Sequence, residues 1–93
     1  MAVYQIDYDL RKNRNYEELY KRIQNYPKWC RPLESTWVIS TSQSASQVAN
    51  NLLQAMDGDD GLLVTRLNGE ASWYGIDPKA ASYLKGMLEQ QAA

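Results

Sequence analysis

A single carboxylate followed by a basic loop is the part of this sequence that could do chemistry. Asp9 ends an alternating apolar stretch, and three basic residues come soon after it: Arg11, Lys12 and Arg14. A carboxylate oxygen suits Mg²⁺ or Mn²⁺, and a metal held there could lower the pKa of a bound water and offset charge on a phosphate. The basic side chains could hold the phosphate backbone of a nucleic acid. Asp7 would share a strand face with Asp9 and is the second candidate metal ligand.

The same residues have plainer interpretations, and the sequence leaves both open. An aspartate at a turn commonly accepts hydrogen bonds from backbone amides, and basic residues in a loop are often ordinary surface charge. Trp29, Trp37 and Trp73 could stack on bases, but packing in a core or an interface is the better interpretation for large aromatic side chains. The acidic stretch DGDD at 57–60 lacks the length and the glutamate of a calcium loop, so it predicts a plain turn.

Composition excludes several classes of active site. The chain has no histidine, which removes Ser-His-Asp and Cys-His catalysis, haem ligation by histidine and typical zinc hydrolase sites. The lone Cys30 cannot build an internal disulfide or a zinc site, and we expect it to be packed and inert. Any chemistry must therefore depend on carboxylates, lysine, tyrosine, hydroxyl groups or a hard cation.

Charge and hydropathy bear on the partners of the protein. The net charge is −1, which argues against a generally basic nucleic-acid binder. Residues 1–31 nevertheless carry seven basic and four acidic groups, enough for a local phosphate-binding surface. No apolar run approaches the roughly 20 residues that cross a bilayer, and the N-terminus has no signal-peptide pattern. We therefore expect a cytoplasmic protein with no membrane partner.

The first half of the chain contains the elements that must position these groups. Residues 3–10 alternate as a strand with one apolar face and one half-polar face. An apolar stripe predicts a helix capped by Asn15, with Glu18 in capping-box position, and Pro27 ends that helix. The stretch WCRPLESTWVIST predicts two short strands or one kinked strand, with Pro32 at an edge or a bend.

The second half continues the alternation of helices and strands. A capped helical stretch, SQSASQVANNLLQAM, begins at Ser44, and a strand follows at 62–67. An Asn-Gly pair at 68–69 is a hairpin signal that leads into a further strand at 70–75. The Asp-Pro pair at 77–78 starts a third helix, as a cap and a first-turn proline.

This order of elements predicts an α+β fold. Two helices separated by strands fit a ferredoxin-like split βαβ sandwich, an antiparallel sheet with two helices on one face. The other face would be open to solvent, a ligand or a partner subunit. We place this domain at residues 1–76 and a short C-terminal helical tail at 77–93. A chain of 93 residues has one modest core, so self-association is a natural source of further stability.

Beyond these patterns, the chain resembles a known family. The stretches IDYDL, ESTWVIST and DDGLLVTRLNGEASWYG are similar to the CRISPR-associated Cas-two family, whose superfamily includes the virulence-associated protein D ribonuclease toxins. More narrowly, they look like short bacterial proteins labelled "SinR family". The resemblance covers about residues 2–76. It implies a ferredoxin-like homodimer in which Asp9 from each subunit binds a divalent metal and is catalytic in members reported as nucleases.

The resemblance also implies phosphate-binding groups on the second strand, where Arg31, Ser35 and Thr36 match. Two functions stay open. One is a non-catalytic or weakly active homodimeric module that engages RNA or DNA, or a partner within a toxin–antitoxin or defence system. The other is an endoribonuclease or phosphodiesterase that uses Mg²⁺ or Mn²⁺ at paired Asp9 side chains, with no other cofactor. We favour the first, because one acid without a histidine makes a sparse active site.

Overall fold

The computed structural model describes residues 1–12 and 15–92, except for the side chains of 91 and 92. Within these residues the elements are, in chain order, β1 (Ala2–Asp9), α1 (Glu17–Gln24), β2 (Lys28–Leu33), β3 (Thr36–Thr41), α2 (Ala45–Leu53), β4 (Gly61–Arg66) and α3 (Pro78–Ala92). The strands form one antiparallel sheet in the order β2-β3-β1-β4. The predicted α+β class is confirmed. No helix of the described chain is long and apolar enough to cross a bilayer.

The main core lies between one face of the sheet and helices α1 and α2. Alternation along β1 sends Tyr4, Ile6 and Tyr8 to this face, as the sequence predicted. The buried members of this core are Tyr4, Ile6, Tyr8, Tyr16, Leu19, Ile23, Tyr26, Trp37, Ile39, Val48, Leu52 and Ala55. The interior is thus built from β1, α1, β3, α2 and the residues next to the two helices, whereas β2 contributes Cys30 to the second core.

The opposite face of the sheet carries a second, smaller core. Its buried members are Val3, Cys30, Val38, Leu84, Met87 and Leu88. The last three come from α3, so the C-terminal helix covers part of the face that the sequence predicted to be open. Because α3 brings its own apolar side chains, it removes that half of the face from water.

The other half of this second face stays accessible. The strand register aligns Leu33 with Thr36, Thr36 with Asp7, and Asp7 with Leu63 in one row across all four strands. We call this row the open half-face. Leu33 and Leu63 at its two ends are 52% and 59% exposed. An exposed apolar residue at each end, with polar residues between, marks this row as available for contact with another molecule.

Of the two predicted N-caps of α1 and α2, one is confirmed and the other lies at a different residue. The predicted capping box of α2 is confirmed: Ser44 Oγ accepts from the Gln47 N–H at 3.1 Å, and Gln47 Oε1 accepts from the Ser44 N–H at 2.9 Å. At α1 the cap lies one residue later than predicted, at Tyr16, which makes no side-chain cap. Asn15 Oδ1 instead accepts from the Glu17 N–H at 2.8 Å. It satisfies a first-turn amide without occupying the cap position itself.

The stretch around Pro32 forms two strands, and β2 lies at an edge of the sheet. The β2–β3 register shifts between Cys30 and Leu33. A proline donates no hydrogen bond to the ladder, so an edge strand with an irregularity is the place that tolerates it. The edge position predicted for Pro32 is therefore confirmed.

The predicted hairpin strand at 70–75 is wrong. No strand follows β4 in the described chain. Gly69 has φ of 98°, and Asn68 Oδ1 accepts from the Glu70 N–H at 3.1 Å, so the turn chemistry is present. The segment after it forms no strand, and Trp73 and Ile76 line a groove of about 500 Å³ together with Leu84 and Leu88 of α3. The segment thus lies beside the second face, whose Val38 lines the same groove, instead of pairing with the edge of β4.

Candidate functional site

Asp9 is the last residue of β1, and its side chain is 80% exposed. Its carboxylate lies 3.7 Å from the Arg11 guanidinium, and Arg11 is itself 59% exposed. An ion pair this open contributes little to stability. The predicted catalytic carboxylate is therefore accessible and is not covered by packed apolar groups.

A cavity of about 310 Å³ opens beside Asp9 at this end of the sheet; we call it the Asp9 cavity. It is lined by Tyr8, Asp9, Leu10, Tyr20, Arg31, Glu34 and Ser35. Three of the residues singled out in the sequence, Asp9, Arg31 and Ser35, thus border one space. They meet because the turn between β2 and β3 lies beside the end of β1, where the Tyr8 N–H donates to the Ser35 carbonyl at 3.4 Å.

Arg31 is held in a defined position at this cavity. Its guanidinium carbon lies 4.9 Å from the ring centroids of both Tyr20 and Trp37. Its Nε and Nη2 groups donate to the Glu34 carbonyl at 3.0 and 2.7 Å. Aromatic stacking and a forked hydrogen bond both restrict a long side chain that would otherwise sample many rotamers. A cation positioned in this way can bind an anion at a lower entropic cost.

Tyr8 connects this cavity to the core. Its hydroxyl accepts from Trp37 Nε1 at 2.9 Å, and Arg31 Nη2 lies 3.5 Å from the same oxygen. Burial raises the pKa of Tyr8, while the Trp37 hydrogen bond and the Arg31 charge oppose that shift. The phenol therefore stays protonated at neutral pH and acts as a hydrogen-bonding support for Arg31 and Trp37.

Asp7 and Thr36 lie apart from the Asp9 cavity, on the open half-face. The Asp7 carboxylate accepts from Thr36 Oγ1 at 2.7 Å and from Gln5 Nε2 at 2.9 Å. The predicted phosphate ligand Thr36 thus donates its hydroxyl to Asp7. Asp7 and Asp9 do border a shallow cavity of about 280 Å³ on the β4 side. Within the described residues, no group of three or more His, Cys, Asp or Glu side chains could hold a metal ion.

The basic loop meets the acidic turn that follows α2. The Arg11 N–H donates to Asp60 Oδ1 at 2.8 Å, and Arg11 Nη1 donates to the Asp59 carbonyl at 2.7 Å. Lys12 Nζ lies 2.9 Å from Asp59 Oδ2. Arg14, the third predicted phosphate ligand, lies outside the described residues.

Sequence reasoning assigned no role to Asp59 and Asp60 beyond a plain turn. Asp60 also accepts from the Tyr16 hydroxyl at 3.0 Å and, through its second oxygen, from the Asp57 N–H at 2.8 Å. Burial and then the hydrogen bond to Asp60 raise the pKa of Tyr16. The contact between the basic loop and the acidic turn could have been predicted from the opposite charges of residues 11–12 and 57–60. Loops that flank neighbouring antiparallel strands meet at one end of a sheet.

The tryptophans mostly follow the packing interpretation. Trp37 is 1% exposed in the main core, and Trp29 packs against it with ring centroids 5.5 Å apart. Trp29 and Trp73 are each 38% exposed. Trp37 is therefore unable to stack on a base, whereas each of the other two presents part of its ring to solvent.

Compared with known proteins, the chain matches no protein-family model, and no curated protein matches it at a significant level.

Proposed function

We propose that the protein is a Cas-two-like homodimeric module that binds nucleic acid without requiring catalysis. The order β1-α1-β2-β3-α2-β4 in one antiparallel sheet supports the ferredoxin-like assignment within the α+β class. The observation that carries the proposal is the exposed Asp9 at the mouth of a cavity that also holds the stacked Arg31. Such a site has a fixed cation for phosphate and few groups for proton transfer.

The open half-face supports pairing with a second copy of the chain. A twofold axis places the same patch on both subunits, so a patch must be complementary to itself. Leu33 and Leu63 supply apolar contact at the two ends of the row, and Asp7 and Thr36 supply polar groups between them. Asp9 lies at the rim of the same face, so a twofold contact here would bring two Asp9 carboxylates toward each other.

Dimerisation is tested by mass in solution. We expect light scattering after size-exclusion chromatography to give the dimer mass for the wild type and the monomer mass for Leu63→Asp. Leu53→Asp is the matched control, because Leu53 is similarly exposed, at 49%, but lies on α2. A wild type that is monomeric at all concentrations contradicts the homodimer, and a dimeric Leu63→Asp contradicts this interface.

Nucleic-acid binding is tested by fluorescence anisotropy with labelled single-stranded RNA and duplex DNA. We expect affinity to fall steeply with salt, because phosphate contacts release counterions. Arg31→Ala should weaken binding, whereas Lys85→Ala, which removes a 70% exposed lysine on α3, should not. Because Arg31 packs on aromatic rings, the melting temperature of each variant is measured alongside. Affinity that is insensitive to salt and to Arg31→Ala rejects the proposal.

The second candidate function is a metal-dependent endoribonuclease or phosphodiesterase. The 80% exposure of the Asp9 side chain favours it, since a carboxylate open to water can be reached by Mg²⁺ or Mn²⁺, and the partner's Asp9 and water would complete the coordination. Labelled RNA and duplex DNA should then be cut by the wild type in the presence of metal and not by Asp9→Asn. Cleavage that survives Asp9→Asn, or that is absent with every metal, removes this function.

A toxin–antitoxin or defence-system partner also belongs to this proposal. The exposed Leu33 and Leu63 suit a protein contact as well as a second copy. A tagged pulldown from the host, compared between the wild type and Leu63→Asp, identifies such a partner. A partner that binds both equally uses a different surface.

A further inference from the structure

We infer that Asp59 is an internal competitor for phosphate: its carboxylate occupies the anion position on the basic loop and weakens nucleic-acid binding until it is displaced. This inference rests on the proposed function, because it concerns how the basic loop, whose Arg11 lies beside Asp9, adds to phosphate binding at the Asp9 cavity.

Contact geometry is the first support. Lys12 Nζ and Asp59 Oδ2 are 2.9 Å apart, the distance at which a lysine holds an anionic oxygen. Arg11 is engaged from two sides, by the Asp59 carbonyl at Nη1 and by the Asp9 carboxylate near Nη2. Both cations of the loop that the structure describes are thus already in contact with acceptor oxygens.

The acidic turn does not need the Asp59 carboxylate for its own structure. Asp60 holds the turn, through hydrogen bonds from the backbone amides of Arg11 and Asp57 and from the Tyr16 hydroxyl. The Asp59 side chain, by contrast, is 70% exposed, and the Lys12 side chain is 48% exposed. The Asp59–Lys12 contact is therefore a surface pair that a stronger anion can replace.

Charge explains why this contact matters for binding. A phosphate that approaches Lys12 meets the Asp59 charge at the same place, and it must displace that carboxylate to gain its own ion pair. The chain carries 11 acidic and 10 basic residues, so a binding surface depends on how the charges are arranged and not on their sum. Removing the carboxylate of Asp59 therefore raises the affinity for nucleic acid far more than removing an acidic side chain elsewhere on the surface.

Asp59→Asn is the variant that tests the inference, because it keeps the shape of the side chain and the carbonyl that binds Arg11. The probe is a labelled polyuridine oligonucleotide, titrated at several salt concentrations. Releasing one lysine for one phosphate should raise affinity by about tenfold at about 50 mM salt and steepen the salt slope by about 0.7. Glu89→Gln is the matched control: it removes the same charge from a side chain that is 67% exposed on α3.

A double-mutant cycle completes the design. Lys12→Ala should weaken binding much more in the Asp59→Asn background than in the wild type, because Lys12 is free only there. Equal affinity of Asp59→Asn and the wild type, with binding still sensitive to salt and to Arg31→Ala, overturns the competitor and leaves the proposed function standing. A gain that Glu89→Gln reproduces is a general charge effect and also overturns it. Absence of binding by all variants at the lowest salt overturns both.

Discussion

Docking of the C-terminal helix can be measured through the single cysteine. Cys30 is 5% exposed in the second core, where Leu84, Met87 and Leu88 of α3 pack. Burial raises the pKa of the Cys30 thiol from 9.0 to about 11. At a pH below 9.0, the fraction of Cys30 that is ionised to thiolate is about a hundredfold lower in the native protein than in the unfolded chain. Steric exclusion of the reagent slows the reaction further. The thiol is therefore reactive only when α3 opens.

Leu84→Ala is the perturbation that should release the helix. Leu84 is 6% exposed, and removing its side chain from a small core costs about 2 kcal/mol at the low end of such substitutions. If opening of α3 is local, that cost raises the open population, and with it the rate of thiol modification, about thirtyfold.

The assay is the rate of reaction with a chromogenic disulfide reagent under native conditions. Tyr83→Ala is the matched control, because it truncates a large side chain on the same helix that is 46% exposed; its rate should stay close to that of the wild type. A wild-type thiol that reacts as fast as in urea, or a rate that Leu84→Ala leaves unchanged, refutes the docking of α3 over Cys30.

Three further predictions concern stability. Tyr8→Phe leaves the buried Trp37 Nε1 without its acceptor at 2.9 Å and should cost about 1–3 kcal/mol in urea unfolding; an unchanged midpoint contradicts that role. The free energy of unfolding should fall as pH rises above 9.0, since the raised pKa values of Cys30 and Tyr8 mean that the unfolded chain ionises first. Cys30→Ala should reduce this fall, and a pH profile identical to that of the wild type excludes the thiol as a cause. Ser44→Ala should cost about 1 kcal/mol by removing the capping box, whereas Ser46→Ala on the same helix should have almost no effect; equal costs refute the cap.

The proposed function uses one surface of the protein for dimerisation and another for phosphate binding. The open half-face, with Leu33 and Leu63, is assigned to the contact between subunits, and the Asp9 cavity with Arg31 is assigned to phosphate. Asp9 lies where these surfaces meet, so a dimer would place two phosphate sites side by side. Asp59 in the acidic turn then determines how much the basic loop contributes to phosphate binding at these two sites.

Local features of the fold were predictable because they depend on residues that are close in sequence. The strand alternation of β1 and the capping box of Ser44 and Gln47 are of this kind. The hairpin at 68–69 failed although its turn residues were read correctly, because the fate of the segment after it depends on α3. Packing of Trp73 and Ile76 along the groove beside that helix competes with pairing at the edge of β4.

The sequence predicted which residues of the candidate site matter better than it predicted which residues they contact. Asp9, Arg31 and Ser35, which the family resemblance singled out as site residues, border one cavity. Thr36 follows β3 onto the opposite face of the sheet and binds Asp7, because a shift of one residue along a strand reverses the side-chain direction. The irregular β2–β3 register between Cys30 and Leu33, around Pro32, made that direction unpredictable from the sequence.

The sequence by itself determined most of the helices and strands, the two faces of β1 and the absence of histidine chemistry, because hydrophobic period, helix caps and composition depend on residues close together in the chain. The tertiary structure alone decided which charges meet. Arg11 and Asp59 are separated by 48 positions in the chain, and they come into contact because β1 and β4 are antiparallel neighbours that place Asp9 opposite Gly61. That pairing is a long-range choice of the whole sheet, and it converts a basic loop and an acidic turn into one surface.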